Sequence, residues 1–255
     1  MDKPKIAVYK YSSCAGCQLQ FINIESELLD LLGHIHISYF KEATSLVEDP
    51  PYDIGFIEGS VTCPHEEEKV KQARKDCKII VALGACACEG CVNTLKNYQN
   101  LDDVVKRVYE HPEFIHTYEK AHGIDHFIPV DAYLHGCPVD RLELRELIVS
   151  VLIGKKPFLR PHAVCVECKL NENECLIQTE KALCLGSVTR GGCGAVCTTG
   201  GRPCFGCRGP NEDSNPEALV EIFKKDGHPL DEIKRRFLYF SGDTPAFRKG
   251  AEACV

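Results

Sequence analysis

Short apolar runs alternate with amphipathic stretches over the first 155 residues or so. Lys5 to Lys10 is a strand-length apolar run. Gln18 to Leu32 places Leu19, Ile22, Leu28, Leu29 and Leu32 at helical spacing, with Glu25, Glu27 and Asp30 opposite, and Gly33 as a stop. Ile35 to Phe40 alternates like a strand, and Asp53 to Ile57 forms another. A polar helix is expected over Pro64 to Lys75, and Lys78 to Leu83 reads as a buried strand. A helix near Asp102 to Tyr109, a strand over His126 to Val130 and a helix over Arg141 to Ile153 complete the series. Alternating β and α elements predict a parallel sheet with helices on both faces, in the flavodoxin-like α/β class.

The pattern changes at Gly154-Lys155-Lys156-Pro157. We expect one domain over 1–156 and a second, small and irregular, over 157–255. The stretch after Pro157 is dense in Cys and Gly and lacks long apolar runs. Such a segment is expected to bury little core and to need a metal centre for its folding energy. Two modest helices, near Pro216 to Asp226 and Leu230 to Phe240, and a polar tail are expected to close the chain.

Composition narrows the function classes. The net charge of -7 over 255 residues speaks against nucleic acid, which needs a basic surface. No apolar run approaches bilayer-spanning length, so no membrane insertion is expected. The N-terminal residues lead straight into a strand, with no export signal or twin-arginine stretch. A cytoplasmic setting is therefore expected, in which thiols stay reduced and cysteine clusters mean metal or catalysis rather than disulfides.

Of 17 cysteines, eight fall between Cys165 and Cys207. They read Cys165-x2-Cys168-x6-Cys175-x8-Cys184 and Cys193-x3-Cys197-x6-Cys204-x2-Cys207. Four thiolates hold one iron–sulfur cubane, so eight suit two. Two zinc sites are the competing reading, since all-cysteine sets with Cys-x2-Cys pairs also bind zinc, although the usual ribbon hairpin between pairs is missing. In the first domain Cys14, Cys17, Cys86 and Cys137 each follow a predicted strand. Those connections share the carboxyl edge of an open sheet, where ligands bind, so the four thiols converge and can hold another cubane. Gly84 and Gly136 beside them allow close backbone approach. Taken alone, Cys14-x2-Cys17 also fits a redox dithiol, which would leave Cys86 and Cys137 idle. Glu58, at a strand's carboxyl end, reads either as a residue beside that centre that bonds or moves protons, or as a charge at a helix N-terminus. No Ser-His-Asp set, phosphate loop or dinucleotide fingerprint is present.

Ser13-Cys14-Ala15-Gly16-Cys17, Ile57-Glu58-Gly59, Gly84-Ala85-Cys86-Ala87, Gly136-Cys137-Pro138 and Cys204-Phe205-Gly206-Cys207-Arg208-Gly209-Pro210 occur in this order. The chain from about Ile6 to Pro210 thereby resembles the small, electron-transferring subunit of nickel–iron hydrogenases, in particular sulfhydrogenase delta subunits and methyl-viologen-reducing hydrogenases. The resemblance implies three [4Fe-4S] clusters. Cys14, Cys17, Cys86 and Cys137 would hold the proximal one. Cys193, Cys197, Cys204 and Cys207 would hold the medial one, and Cys165, Cys168, Cys175 and Cys184 the distal one. It implies a separate large subunit with the nickel–iron site, and a flavoprotein or iron–sulfur subunit as electron partner. No catalytic residue is expected on this chain.

Three departures from that family stand out. Many members have His at the first distal position, and His162-x2-Cys165 keeps that spacing, but Cys165 completes a set of four. Cys197 makes the medial set a full four. Val139 stands where relatives often have a second proline, with only a small packing effect expected. Among the remaining cysteines, Cys77 reads as a buried small hydrophobe and Cys254 as a surface thiol in a mobile tail. Cys88 and Cys91 follow Cys86 closely enough to compete with it, and Cys63 is expected near the same edge as a non-ligand. Two rival readings are a complex I-like iron–sulfur subunit and a zinc-stabilised binding module. The first fits poorly, because those subunits carry adjacent cysteines at the first ligand pair and lack the eight-cysteine domain.

Overall fold

Each predicted apolar run in the first half becomes a strand or lies next to one. The computed structural model describes residues 3–24 and 26–254, and divides into one unit up to Pro157 and a second from Phe158. In the first unit the order is β1 (Lys5–Lys10), α1 (Gly16–Ile22), α2 (Ser26–His34), β2 (His36–Phe40), β3 (Tyr52–Glu58), α3 (Pro64–Asp76), β4 (Cys77–Leu83), α4 (Gly84–Glu89), α5 (Leu101–Val108), β5 (Ala132–Leu134) and α6 (Arg141–Leu152). The strands form a five-stranded parallel sheet in the order β2-β1-β3-β4-β5. This is the doubly wound order whose direction reverses between β1 and β3, and ligands bind beyond the strand ends there.

Both faces of the sheet are covered. On one, Phe21 of α1 packs edge-on against Phe40 and Phe56 at 6.0 and 5.1 Å between ring centroids. On the other, Val70 and Ala73 of α3 join Tyr11, Tyr52 and Ile80 in a buried cluster. Cys77 belongs to that core, as its sequence reading holds, and it sits over Gly55, where a β-carbon would come within 2.5 Å of its sulfur.

Two elements differ from expectation. The helix predicted from Gln18 to Leu32 is two helices, because α1 closes at Asn23, whose N–H bonds Leu19 O. The buried face of α1 is Cys17, Gln18 and Phe21, while Leu19 and Ile22 are exposed. Glu25 and the side chains of Glu27, Leu28 and Leu29 lie outside the described residues. The strand predicted over His126 to Val130 is a short 3-10 turn at Ile124–His126 instead. Pro129 has no N–H to give a ladder, so pairing begins only after it. Asp131 then fastens the chain to β4: its N–H bonds Ile80 O at 3.0 Å, and its carboxylate accepts the Ile80 N–H at 2.7 Å.

The second unit contains α7 (Val164–Leu170), α8 (Leu176–Glu180), α9 (Val196–Thr199), α10 (Pro216–Lys225), α11 (Leu230–Leu238) and α12 (Pro245–Glu252). It has more core than its cysteine-rich sequence suggests. Leu185 and Val188 of the cysteine stretch pack on Val220, Phe223, Ile233, Phe237 and Phe247 from the last three helices. The expected polar tail is α12, and Gly250 lets it lie against α11, since a β-carbon there would come within 2.8 Å of the Phe237 ring. Cys254 is buried rather than a surface thiol, and its Sγ donates to Gly250 O at 3.3 Å.

Candidate metal centres

Three strand-to-helix connections at the carboxyl edge carry the thiols of the first unit. After β1, the Tyr11 N–H bonds Glu58 O at 2.8 Å, and Ser12 pairs with Ser60 in a short antiparallel bridge. Ala15 takes a left-handed turn with φ 66°, which starts α1 and brings Cys14 and Cys17 to the same end. Glu58 secures this turn. Its two carboxylate oxygens accept the N–H groups of Cys17 and Gln18, each at 3.1 Å. Burial pushes the Glu58 carboxyl up, and these two amides oppose the rise. Both sequence readings of Glu58 therefore meet in one contact: it satisfies a helix N-terminus, and it touches the backbone of a candidate ligand.

After β4, Gly84 turns with φ 84° into α4. A β-carbon at Gly84 would lie 2.2 Å from Cys17 Sγ. After β5, Gly136 O accepts the Ala85 N–H at 2.8 Å, which ties the Cys86 connection to the Cys137 connection. Gly16 lies between Cys14 and Pro138, its β-carbon position 3.3 Å from Cys14 Sγ and 3.7 Å from Pro138 Cβ. The Cys17 thiol is pushed up by burial first, then by Glu58, Cys137 and Cys86, with the Val139 amide opposing. Four sulfurs from distant parts of the chain thus share one small region. The Val139 backbone opposes the rise of the Cys17 thiol, and a proline at that position would have no N–H to do so.

Cys88 and Cys91 separate in the structure. Cys88 turns into the sheet core, its Sγ 3.6 Å from Ala82 O and 3.7 Å from Leu134 O. Cys91 is fully buried, has φ 50°, and shares side-chain hydrogen bonds with Cys137 and Cys86. Those contacts push the Cys91 thiol up and the Cys137 thiol down. Cys91 is thus a fifth thiol at this edge, beside both Cys86 and Cys137. Cys63 caps α3 and lines a cavity of about 420 Å³ with Lys10, Tyr11 and Lys69.

In the second unit, Cys165 and Cys168 lie on α7, Cys175 precedes α8, and Cys184 follows it. The Cys165 thiol is pushed up to about 11 by burial, then by Cys184, Cys168 and Cys175, so all four share one neighbourhood. Gly186 provides the wall, with its β-carbon position 3.4 Å from Cys165 Sγ and 3.6 Å from Cys184 Sγ. His162 is turned elsewhere: its Nε2 lies 3.2 Å from Glu167 Oε1.

The other group is less closely drawn together. Burial pushes the Cys204 thiol up, followed by Cys184 and Cys207, while the Gly206 amide opposes. Cys193 packs in the same small core as Cys184 and Cys204. Cys197 sits exposed on α9. Two charged residues that no sequence motif singles out stand here. Glu167 is buried, and its carboxylate bonds the amides of Gly192 and Ala195 on either side of Cys193. Arg236 of α11 stacks over the Phe205 ring at 3.8 Å, near Cys184 and Cys204, and burial pulls its guanidinium down. The only signal of Glu167 in the sequence is its place within Cys165-Val166-Glu167-Cys168; Arg236 lies beyond every cysteine motif.

Residues 14–151 match the family model described as NADH ubiquinone oxidoreductase, 20 Kd subunit. The sulfhydrogenase 2 subunit delta of Pyrococcus furiosus is 33% identical over 237 residues, covering 93% of this chain and 99% of that relative. The chain belongs to the nickel–iron hydrogenase small-subunit family. Another relative, from the F420-non-reducing hydrogenase (vhu) of Methanocaldococcus jannaschii, is 29% identical over 82% of this chain and 83% of its own length. Among solved structures, an NAD+-reducing nickel–iron hydrogenase in the H2-reduced state contains a similar chain. That chain is 27% identical with a TM-score of 0.57, and the likeness spans 62% of this protein and 95% of that chain. The protein is thus part of an oxidoreductase that acts on hydrogen, and its relatives imply iron–sulfur clusters. The family match spans Cys14, Cys17, Cys86 and Cys137. Among the described residues no helix is long and apolar enough to cross a membrane.

Proposed function

We propose that this chain is the electron-carrying small subunit of a cytoplasmic nickel–iron hydrogenase, and that it holds three [4Fe-4S] clusters. Cys14, Cys17, Cys86 and Cys137 would hold the proximal cluster. Cys193, Cys197, Cys204 and Cys207 would hold the medial cluster, and Cys165, Cys168, Cys175 and Cys184 the distal one. The observation that carries this reading is the meeting of Cys14, Cys17, Cys86 and Cys137 around Gly16 and Gly84, from connections more than 100 residues apart in the chain. The donor chemistry fits: each set offers four thiols, three of them buried or half-buried and one, Cys14, Cys175 or Cys197, exposed.

When bound, the clusters would accept and release single electrons; iron–sulfur clusters as a class have potentials spanning roughly −700 to +450 mV, set by burial, charge and hydrogen bonds to sulfur. The chain's own groups supply those controls. Burial raises the Cys17, Cys165, Cys184, Cys193 and Cys204 thiols, the backbone at Val139 and Gly206 opposes that rise at Cys17 and Cys204, and Glu58 holds the Cys17 turn. The partners proposed are a large subunit carrying the nickel–iron site, and a flavoprotein or iron–sulfur subunit that takes electrons onward. A zinc-binding module is less well supported, because the ribbon hairpin usual between Cys-x2-Cys pairs is missing.

The test is hydrogen-dependent bleaching. Purified anaerobically with its large subunit, the brown complex loses visible absorbance under hydrogen and regains it with an electron acceptor. Cys197→Ala removes one paramagnetic resonance signal and leaves the other two. If hydrogen leaves the spectrum unchanged in a complex that dithionite bleaches, the relay role is wrong. If Cys197→Ala leaves all signals and the iron content intact, the medial set is wrong.

A further inference from the structure

The two four-cysteine groups of the second unit follow one another in sequence without overlapping, yet each is fastened by the other. The Cys204 N–H of the later group donates to Cys184 Sγ of the earlier one at 3.2 Å. The Leu185 N–H, next to Cys184, donates to Cys204 O at 3.0 Å. The return contact is Glu167, on α7 between Cys165 and Cys168. Its Oε1 accepts the Gly192 N–H at 2.6 Å, and its Oε2 accepts the Ala195 N–H at 3.2 Å. Cys193 Sγ lies 3.9 Å from Oε2. His162 Nε2 at 3.2 Å and Arg160 at 3.4 Å complete the surroundings of Oε1.

A carboxylate this buried is costly unless its lone pairs are met. Here two backbone amides and two side chains meet them, and the side chain is 6% exposed. The Gly192 and Ala195 N–H groups each reach a different oxygen of the one carboxylate, so the loop that presents Cys193 is shaped around this residue. Reduction adds an electron to a cluster, and a fixed negative charge a few ångströms away opposes it in a low-dielectric site.

We propose that Glu167 is a positioning residue that fixes the Cys193 loop from the neighbouring cysteine group and lowers the reduction potential of the cluster Cys193 helps to hold. This rests on the reading of the two cysteine groups as cluster cradles. Glu167 acts through Cys193 and the backbone, and touches no substrate.

The experiment is a redox titration of the anaerobically purified complex of this chain with its large subunit, followed by electron paramagnetic resonance, with iron analysis alongside. Glu167→Gln keeps the shape, removes the charge and leaves one acceptor oxygen. It is expected to favour reduction of the Cys193-group cluster at least tenfold, 59 mV upward for a one-electron couple, with a smaller shift in the Cys165-group cluster and none in the first unit. Loss of the Cys193-group signal alone, with the others kept, supports the fixing of the Cys193 loop, and the potential is then read from the Arg160→Ala with His162→Ala variant. Should Glu167→Gln fail to fold, Arg160→Ala with His162→Ala tests the same field from its other side, because removing donors that offset the charge shifts the same cluster downward. Unchanged potentials in the folded variants, or equal shifts in both clusters, overturn the role of Glu167. A wild-type complex without reducible clusters in this unit overturns the cradle reading itself, a result distinguishable from the first because it appears before any substitution is made.

Discussion

Gly84 shows how little room the candidate site leaves. Its φ of 84° suits glycine, and the position of a β-carbon there is 2.2 Å from Cys17 Sγ. Gly84→Ala must therefore displace the sulfur as well as strain the turn, the latter alone costing roughly 1–2 kcal/mol. Iron analysis of the purified variant is expected to show about four irons fewer per chain, the content of one cubane, with the second unit's signals unchanged; full iron content would contradict the crowding. For single residues the sequence is informative about which cysteines lie at strand ends, because glycines and apolar runs mark those ends. It is silent on which of Cys86, Cys88 and Cys91 face one another. That depends on α4 ending at Gly90 with φ 76° and on Cys91 adopting φ 50°, neither of which a spacing rule encodes. Glu167 is hidden for a related reason: its donors are backbone amides about 25 residues away, and amides leave no mark on a sequence pattern.

Elements are legible where periodicity is strong and packing merely agrees with it. The four strands with long apolar runs, the polar helix α3 and the helix α6 all follow their pattern, whereas β5 waits for the chain to pass Pro129. The last helix, α12, has Phe247 as its one large buried side chain and depends on a close approach at Gly250, so its apolar stripe is too thin to see. The three-helix core is a stability element in its own right. Phe237 is fully buried and meets Phe247 edge-on at 5.7 Å. Phe237→Ala is expected to destabilise the second unit by about 3–5 kcal/mol, read as a lowered denaturant midpoint with the first unit's transition unchanged. The edge strand β2 is secured differently. Glu48 accepts from His36 at 2.6 Å and Ser38 at 3.0 Å and pairs with Lys5 at 3.3 Å, joining β2 to the start of β1. His36 and then Ser38 hold its carboxyl below the usual glutamate range, burial opposes them, and Lys5 adds a lesser lowering. A depressed carboxyl stabilises above its unfolded value, about 4.3, and that contribution disappears as pH falls through the folded value. The melting temperatures of wild type and Glu48→Gln should thus differ at neutral pH and converge in acid; a gap that persists at low pH would rule out the linkage.

Over the whole molecule, the net charge of -7 speaks against nucleic-acid binding, which needs a basic surface. The fold class can be reached from alternation alone, since a parallel sheet needs crossover helices and those leave a regular mark. The second unit resists such reading, because its glycine turns follow sulfur positions and its core is assembled from both ends of the segment. The proposed function assigns twelve cysteines to three sets of four. The decisive quantity is therefore the metal and acid-labile sulfide content of the full chain, purified without exposure to air. Three cubanes require about twelve irons and about twelve sulfides per chain, with zinc absent. Zinc at about two atoms per chain without iron, as two four-cysteine zinc sites would give, would rule the cubanes out.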